Sequence, residues 1–195
     1  ERDLNTRFLV IQGSLAVTFF NPATDPFNGT TTGEWMGQME PALNGALIPA
    51  TAYDLGHVFA RGGGGVAGGL ACIASKARGC TTGSGSYGYF VTILCQEVGH
   101  QLAAGHTWNR CGGGAPDQRK GGTAFEPGSG STIMSYAGGC GSDNVQGYSD
   151  LYFHGGSIEE IKFYYTYGSG ASCGTFIQTD NNPPIVTLPY QNNFF

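Results

Sequence analysis

Charged residues are scarce in this chain, at 12% of its 195 residues, and nine Lys and Arg are outnumbered by fourteen Asp and Glu. The net charge of −5 excludes the basic surface that attracts nucleic acid or anionic lipid. No apolar run approaches the ~20 residues that a membrane-spanning helix needs. We therefore expect neither a nucleic-acid partner nor a membrane partner.

Cysteines never occur in the Cys-x-x-Cys spacing of a structural zinc site, although the chain has six: Cys72, Cys80, Cys95, Cys111, Cys140 and Cys173. With 34 glycines and little charge, they predict a loop-rich, secreted extracellular protein braced by three disulfides, whose pairing the spacing leaves open. The length fits one domain with a single core. Because the chain begins at Glu1 without an initiator Met, we expect any signal or pro-segment to have been removed.

Apolar, β-branched and aromatic runs predict strands at residues 7–11, 15–20, 53–60 and 66–73. The last of these is interrupted by glycines, which suits an edge strand that another backbone approaches closely. Residues 79–88 predict a loop or a short strand.

Three stretches predict helices. The first has apolar residues at helical spacing, namely Met36, Met39, Leu43 and Leu47. Pro41 lies inside this stretch and predicts a kink or a split. The second helix spans about residues 89–103, and the third is predicted to open at a capping box formed by Ser157 and Glu160.

The stretch from Gln96 to His106 resembles the long zinc-protease consensus His-Glu-x-x-His-x-x-Gly-x-x-His. Glu97, His100 and His106 are in register with it, whereas Gln96 replaces the first His and Ala103 replaces the Gly. On a helix, Gln96 and His100 point the same way, one turn apart.

His106 can meet them only if the helix stops and turns back, which calls for a positive φ at position 103. For Ala103 that conformation costs roughly 1–2 kcal/mol, and Gly105 is the alternative position for the turn.

A catalytic zinc site has three protein ligands and an open position for water. His100 and His106 are the predicted imidazole ligands of Zn²⁺. Gln96, at the first-ligand position, offers only an amide oxygen, which suits Ca²⁺ or Mg²⁺ better, so we expect reduced zinc affinity. Glu97 is the predicted general base, passing its proton to the leaving amine.

Residues 131–136, Ser-Thr-Ile-Met-Ser-Tyr, resemble the Met-turn of the metzincin metalloproteases. Residues 53–59, 125–130 and 152–161 are similar to secreted bacterial members of the reprolysin-like branch, and the similarity extends from about residue 1 to residue 173. It implies an α+β fold in which an active-site helix lies under a twisted mixed sheet, followed by a smaller irregular C-terminal subdomain.

The same resemblance implies a catalytic domain over residues 1–175 and a tail or linker over residues 176–195. The first strand and long helix usual in such domains have no counterpart here. The chain is therefore expected to be a fragment, a cleaved product or an incompletely recorded sequence.

The resemblance also implies roles for individual residues. Met134 is structural, and Tyr136 is a fifth metal ligand, an oxyanion donor or a buried tyrosine that packs the turn. His57 is expected to be a hydrogen-bonded core histidine, and His154 either lines the substrate pocket or is structural.

Residues 65–72 match the edge strand on which metzincins lay their substrate, through Gly65, Val66, Ala67, Gly68, Gly69 and Leu70. An extended peptide would add there as a further strand; the alternative is a merely flexible edge. By analogy the disulfides are Cys72–Cys173, Cys111–Cys140 and Cys80–Cys95.

The predicted function is that of a secreted zinc metalloendopeptidase, which cuts peptide or protein substrates with metal-activated water. The alternative is a non-catalytic relative that keeps the groove as a peptide-binding or structural module, since Gln96 and Ala103 both fall on the metal site. A third interpretation is that Gln96 is an engineered or misassigned residue in an ordinary protease.

Overall fold

The computed structural model describes residues 3–46, 48–83, 86–112 and 116–178. Within them lie three α-helices and three strands, in the order α1 (Thr32–Gly45), β1 (Val58–Arg61), β2 (Gly64–Ala67), β3 (Gly79–Gly83), α2 (Tyr87–Gln101) and α3 (Gly155–Tyr167). The fold is a mixed α+β one, as predicted. No helix of this described part is long and apolar enough to cross a membrane.

The sheet has the order β1-β3-β2, with β1 parallel and β2 antiparallel to β3. Within the described residues, β2 is therefore an edge strand, as its glycines predict. Successive side chains on a strand point to opposite faces. Accordingly Val66 packs against the core cluster of α1, while the neighbouring Gly65 faces Glu97 of α2.

Two apolar cores hold the helices in place. The first lies between α1 and one face of the sheet and is formed by Met36, Met39, Leu43, Ile48, Tyr53, Val58, Ala77 and Cys80. The second joins the end of α2 to α3 and is formed by Ala71, Leu102, Ala104, Ile133, Met134, Ile161 and Tyr164. The sheet thus lies between α1 and α2, which presents β2 to the active-site helix.

Helix α1 begins at a capping box in which Thr31 and Glu34 satisfy each other's backbone N–H groups. A kink or a split was predicted at Pro41, and of these two the split is wrong, since the helix is continuous through Pro41. The buried face of Met36, Met39 and Leu43 compensates for the backbone hydrogen bond that a proline cannot make. Leu47, the last residue of the predicted apolar face, lies outside the described residues.

The first two predicted strands are wrong. Residues 7–11 form no ladder, and a 3-10 helix occupies Ser14–Val17. A strand pattern becomes a strand only beside another strand, and no described segment forms a strand ladder with this one. Five of its large apolar side chains remain at least half exposed, namely Phe8, Leu9, Val10, Leu15 and Phe20, whereas Ile11 and Val17 pack against the first core. The strand predicted at residues 53–60 is present only at its end, in β1 (Val58–Arg61). The strand predicted at residues 66–73 shares only residues 66 and 67 with β2, and residues 68–73 lie outside the sheet.

Helix α3 begins two residues before the predicted capping box. His154 is the N-cap, and its Nδ1 accepts a hydrogen bond of 3.0 Å from the N–H of Gly156. Ser157 is fully buried inside the helix, and Glu160 accepts instead from the N–H of Gly105. Histidine performs the capping here, which the search for Ser and Thr caps misses.

The structure contains the Cys72–Cys173 and Cys111–Cys140 disulfides. Cys80 and Cys95 are free thiols, so the third predicted pair is wrong. The reason is that Cys80 belongs to the core on the α1 side of the sheet, whereas Cys95 packs into the core between α2 and α3. The predicted tail, residues 176–195, lies outside the described residues from position 179 onward.

Candidate active site

Two histidines converge at the end of α2. Nε2 of His100 lies 3.0 Å from Nε2 of His106. His100 Nδ1 lies 2.8 Å from the carbonyl oxygen of Ala104, and His106 Nδ1 lies 2.9 Å from that of Gln118. A carbonyl can only accept, so each Nδ1 carries the proton and each Nε2 presents a lone pair to the same point.

The electrostatics keep this pair neutral. Burial, together with the charge of His106, lowers the pKa of His100 to about 4. Burial also lowers the pKa of His106, and Lys120 contributes to the lowering in both rings. Neutral imidazole is the form that binds metals.

The turn that brings His106 back is made by Ala103, whose φ is +72°. Helix α2 ends at Gln101, and the N–H of Ala104 bonds to the carbonyl of Gly99 at 2.9 Å. The positive φ predicted for position 103 is therefore present, and it is Ala103 rather than Gly105 that adopts it. An alanine holds this conformation because the packing of Leu102 and Ala104, both nearly fully buried, fixes the chain on either side.

Gln96 lies one turn before His100 and is buried, with 6% of its surface exposed. Its Nε2 donates a hydrogen bond of 2.9 Å to the main-chain oxygen of Ser135. This bond orients the amide nitrogen toward the turn at residues 131–136. The other side of the amide, Oε1, is then the only atom of Gln96 that is able to serve as a metal ligand.

Glu97 is also buried, at 6% exposure, and burial raises its pKa to about 8. The edge strand lies directly against it, since a Cβ added at Gly65 would come within 2.5 Å of Glu97 Cγ. Only glycine at position 65 leaves room for this carboxylate. A buried carboxyl with a strongly raised pKa in such a position is typical of a general acid or base.

The segment 131–136 lies beneath α2. Met134 is fully buried, and a Cβ added at Gly99 would come within 2.6 Å of its sulfur. The carbonyl of Met134 accepts from the N–H of Thr107 at 3.1 Å, which links the turn to the residue after His106.

Glu126 holds this turn together. Its carboxylate accepts from the N–H groups of Ser131 and Thr132 at 2.8 and 3.1 Å, and from the hydroxyls of Thr107 and Thr132. Burial would raise its pKa, but these hydrogen bonds outweigh burial and lower it. Sequence reasoning missed this role, because a carboxylate that clamps a distant turn leaves no local pattern.

Tyr136 is the aromatic neighbour of His106, with ring centroids 4.7 Å apart, and it stacks on the buried Trp108 at 5.4 Å. Its hydroxyl donates to Oε1 of Gln118. Burial, together with the charges of Glu97 and Asp117, raises the pKa of Tyr136 to about 12. The phenol therefore keeps its proton at neutral pH.

The two remaining histidines are not part of this constellation. His57 is hydrogen-bonded at both nitrogens, to Gln101 at 2.7 Å and to Thr81 at 2.8 Å, as expected of a core histidine. His154 caps α3 and stacks on Phe125 at 5.1 Å, which is the structural alternative.

An open cleft of about 510 Å³ begins at His100. Its wall combines the end of α2 with the loop before residue 123, and includes Leu70, Ala104, Lys120, Thr123 and Glu160. Leu70 continues the predicted substrate edge, so the cleft lies beside the course expected of a bound peptide.

The donor set fits a metal ion in part. In a tetrahedral zinc site, two nitrogen ligands lie about 3.3 Å apart, close to the observed 3.0 Å between the two Nε2 atoms. Both rings have the carbonyl partners that orient metal-binding histidines. In the described residues, however, no group of three or more His, Cys, Asp or Glu side chains is placed to hold a metal. Gln96 occupies the sequence position of the third ligand that the consensus predicts.

Comparison with known proteins and family models gave one kind of match. Neither the curated proteins nor the solved structures compared with the chain gave a match. The family model described as "Metallo-peptidase family M12B Reprolysin-like" matches residues 1–162, which is most of the chain. By this match, the chain belongs to the reprolysin-like metallopeptidases of family M12B.

Proposed function

We propose that the chain is a secreted zinc-dependent metalloendopeptidase with Glu97 as its general base. The observation that carries the proposal is the convergence of His100 Nε2 and His106 Nε2 beside a buried carboxylate against an edge strand. Family membership implies peptide or protein substrates. Secretion is supported by the two disulfides, since such bonds persist in oxidising compartments.

His100, His106 and the Oε1 of Gln96 are the residues that would hold the metal. A bound zinc ion supplies Lewis acidity and makes water nucleophilic at neutral pH. Two neutral nitrogens and a neutral amide oxygen bind zinc less tightly than three imidazoles. Gln96 would therefore lower the zinc affinity of the site, while the two histidines would determine where the ion binds.

The chain's own groups then perform the proton transfers. Glu97 removes a proton from the attacking water and passes it to the nitrogen of the leaving amine. For this it must be ionised, and a cation at the histidine pair would bring its pKa down from about 8 by Coulomb attraction. Because Gly65 has no side chain, the Glu97 carboxylate fits between α2 and β2, next to the proposed path of the substrate.

The substrate backbone is proposed to lie along β2. The edge strand Gly64–Ala67 is paired on one side only, with β3, among the described residues. A peptide added to its other side would run past Glu97, held by main-chain hydrogen bonds. Met134 and Glu126 act beneath the site as supports, in the manner of a Met-turn and its brace.

The test compares the chain with Gln96→His. Zinc content after dialysis and cleavage of an unfolded protein substrate are measured for both, with Glu97→Gln in each background. Glu40→His, on the exposed face of α1, controls for zinc bound by any added imidazole. We expect Gln96→His to bind zinc at least about tenfold more tightly and to cleave, and Glu97→Gln to bind zinc without cleaving.

The non-catalytic alternative gives a different pattern. A peptide-binding module would hold an unfolded substrate without cutting it, in both the original chain and Gln96→His. Failure of both proteins to bind zinc or to cut would overturn the proposal. The family match favours the peptidase.

A further inference from the structure

Residues 118–123 form a wall beside His106 that the sequence patterns left without a role. Gln118 closes the 3-10 turn Pro116–Gln118. Its main-chain oxygen accepts from His106 Nδ1 at 2.9 Å, and its side-chain Oε1 accepts from the hydroxyl of Tyr136. One residue thus holds a proposed metal ligand through its main chain and the neighbouring phenol through its side chain.

This wall is fixed at two points after Gln118. Arg119 donates to the main-chain oxygen of Asn109 at 2.8 Å and to its side chain. Thr123 donates to the main-chain oxygen of His106 at 2.6 Å. Gln118 itself is exposed, so its side chain contributes nothing to a core. Its one side-chain hydrogen bond in the described part of the chain is the bond to Tyr136.

The direction of that bond limits what Tyr136 can do. A phenol has one proton and two lone pairs. While the proton is donated to Gln118, the oxygen faces its surroundings only as an acceptor. Tyr136 can donate a hydrogen bond to a developing oxyanion only after it releases Gln118, whereas it can act as a ligand with the bond intact.

We propose that Gln118 is a positioning residue, whose side chain holds the Tyr136 hydroxyl in the resting site while its main chain orients His106. The inference rests on the proposed function. The two contacts of Gln118 can be tested separately, because truncation of its side chain removes the acceptor for Tyr136 and leaves the carbonyl that faces His106.

The first measurement needs no metal and no activity. Unfolding of the metal-free protein is measured for the original chain, Gln118→Ala, Tyr136→Phe and the double variant. If the bond exists, the two substitutions are coupled by about 3- to 10-fold in the unfolding equilibrium constant. Arg119→Ala is the matched control, since it loosens the same wall without touching the phenol, and it should show no coupling to Tyr136→Phe.

The second measurement is made on cleavage, in whichever of the chain and Gln96→His is active. Gln118→Ala is expected to lower kcat about 3- to 10-fold, with KM changed less than about twofold, and to have no further effect in Tyr136→Phe. Gln118→Glu, which still offers an acceptor, should restore most of the loss.

Independent effects in both measurements would overturn the inference, as would a Gln118→Ala effect on KM alone. If neither protein cleaves, the proposed function fails, and the unfolding measurement alone decides whether Gln118 holds Tyr136. The two failures are therefore distinguishable.

Discussion

The Nε2 atoms of His100 and His106 lie 3.0 Å apart, with the opposite nitrogen of each ring bound to a main-chain carbonyl. Two lone pairs directed at one point repel each other unless a cation lies between them. The fold holds this arrangement through Ala103, which turns the chain back after α2. The main chain thus fixes the convergence of the two imidazoles, although Gln96 stands where the consensus has a third.

Ala103→Gly should stabilise the protein. The φ of +72° at this position costs an alanine roughly 1–2 kcal/mol, part of which is offset by the greater freedom of glycine in the unfolded chain. A rise of a few degrees in Tm is expected. The matched control is Ala104→Gly, which has no positive φ to relieve and should lower Tm. Equal effects of the two substitutions would contradict the strain at position 103.

Glu97→Gln should change how stability depends on pH in the metal-free protein. The pKa of Glu97 is raised from 4.5 to about 8 by burial, so between these values the folded state binds more protons than the unfolded state. This term therefore lowers stability as pH rises from 4.5 to 8. Denaturation at a series of pH values should show the free energy of unfolding of Glu97→Gln rising relative to that of the parent between pH 4.5 and 8. Above pH 8 the difference between the two proteins should stay constant.

A parallel series with Glu159→Gln, an exposed carboxyl on α3, provides the control for loss of one negative charge. The same gain in both variants would mean that net charge, rather than burial of Glu97, governs the effect.

Gly65→Ala should impair cleavage more than folding. The added methyl group would come within 2.5 Å of Glu97 Cγ, so the carboxylate must move away from β2. We expect kcat to fall at least about tenfold, because a displaced base loses its alignment. Gly37→Ala, where an added Cβ meets nothing within 4 Å, is the control and should leave kcat unchanged.

Glu126→Gln should loosen the turn under α2. The carboxylate accepts from two N–H groups and several hydroxyls, and an amide cannot accept them all. A loss of about 1–3 kcal/mol in the free energy of unfolding is expected. Because these bonds lower its pKa, the stabilising contribution should disappear as pH falls through that lowered pKa. A pH-independent difference between variant and parent would contradict this.

The site could be predicted from sequence wherever it rests on local spacing. Helix geometry predicts the register of Glu97, His100 and His106 and the turn at position 103. The glycines of β2 predict that another part of the chain approaches its backbone closely. Glu126 and Gln118 could not be found, because their partners lie elsewhere in the chain and neither sits in a periodic pattern.

The fold, like the site, could be predicted from sequence only where local patterns determine it. The helices α1 and α2 follow from their apolar spacing, but the apolar run over residues 7–20 predicts strands that need a neighbour, and no described segment supplies one. The number of cysteines alone gives the wrong number of disulfides. Six cysteines predict three bonds, but Cys80 and Cys95 belong to different cores and stay unpaired.

The most direct test of the central claim is a zinc-binding titration of Gln96→His beside Gln96→His with His106→Ala. If His100 and His106 form one metal site with position 96, the first protein binds one zinc ion tightly, and loss of His106 weakens binding by at least about a hundredfold. Equal affinity in the two proteins, or no binding in either, would contradict the account.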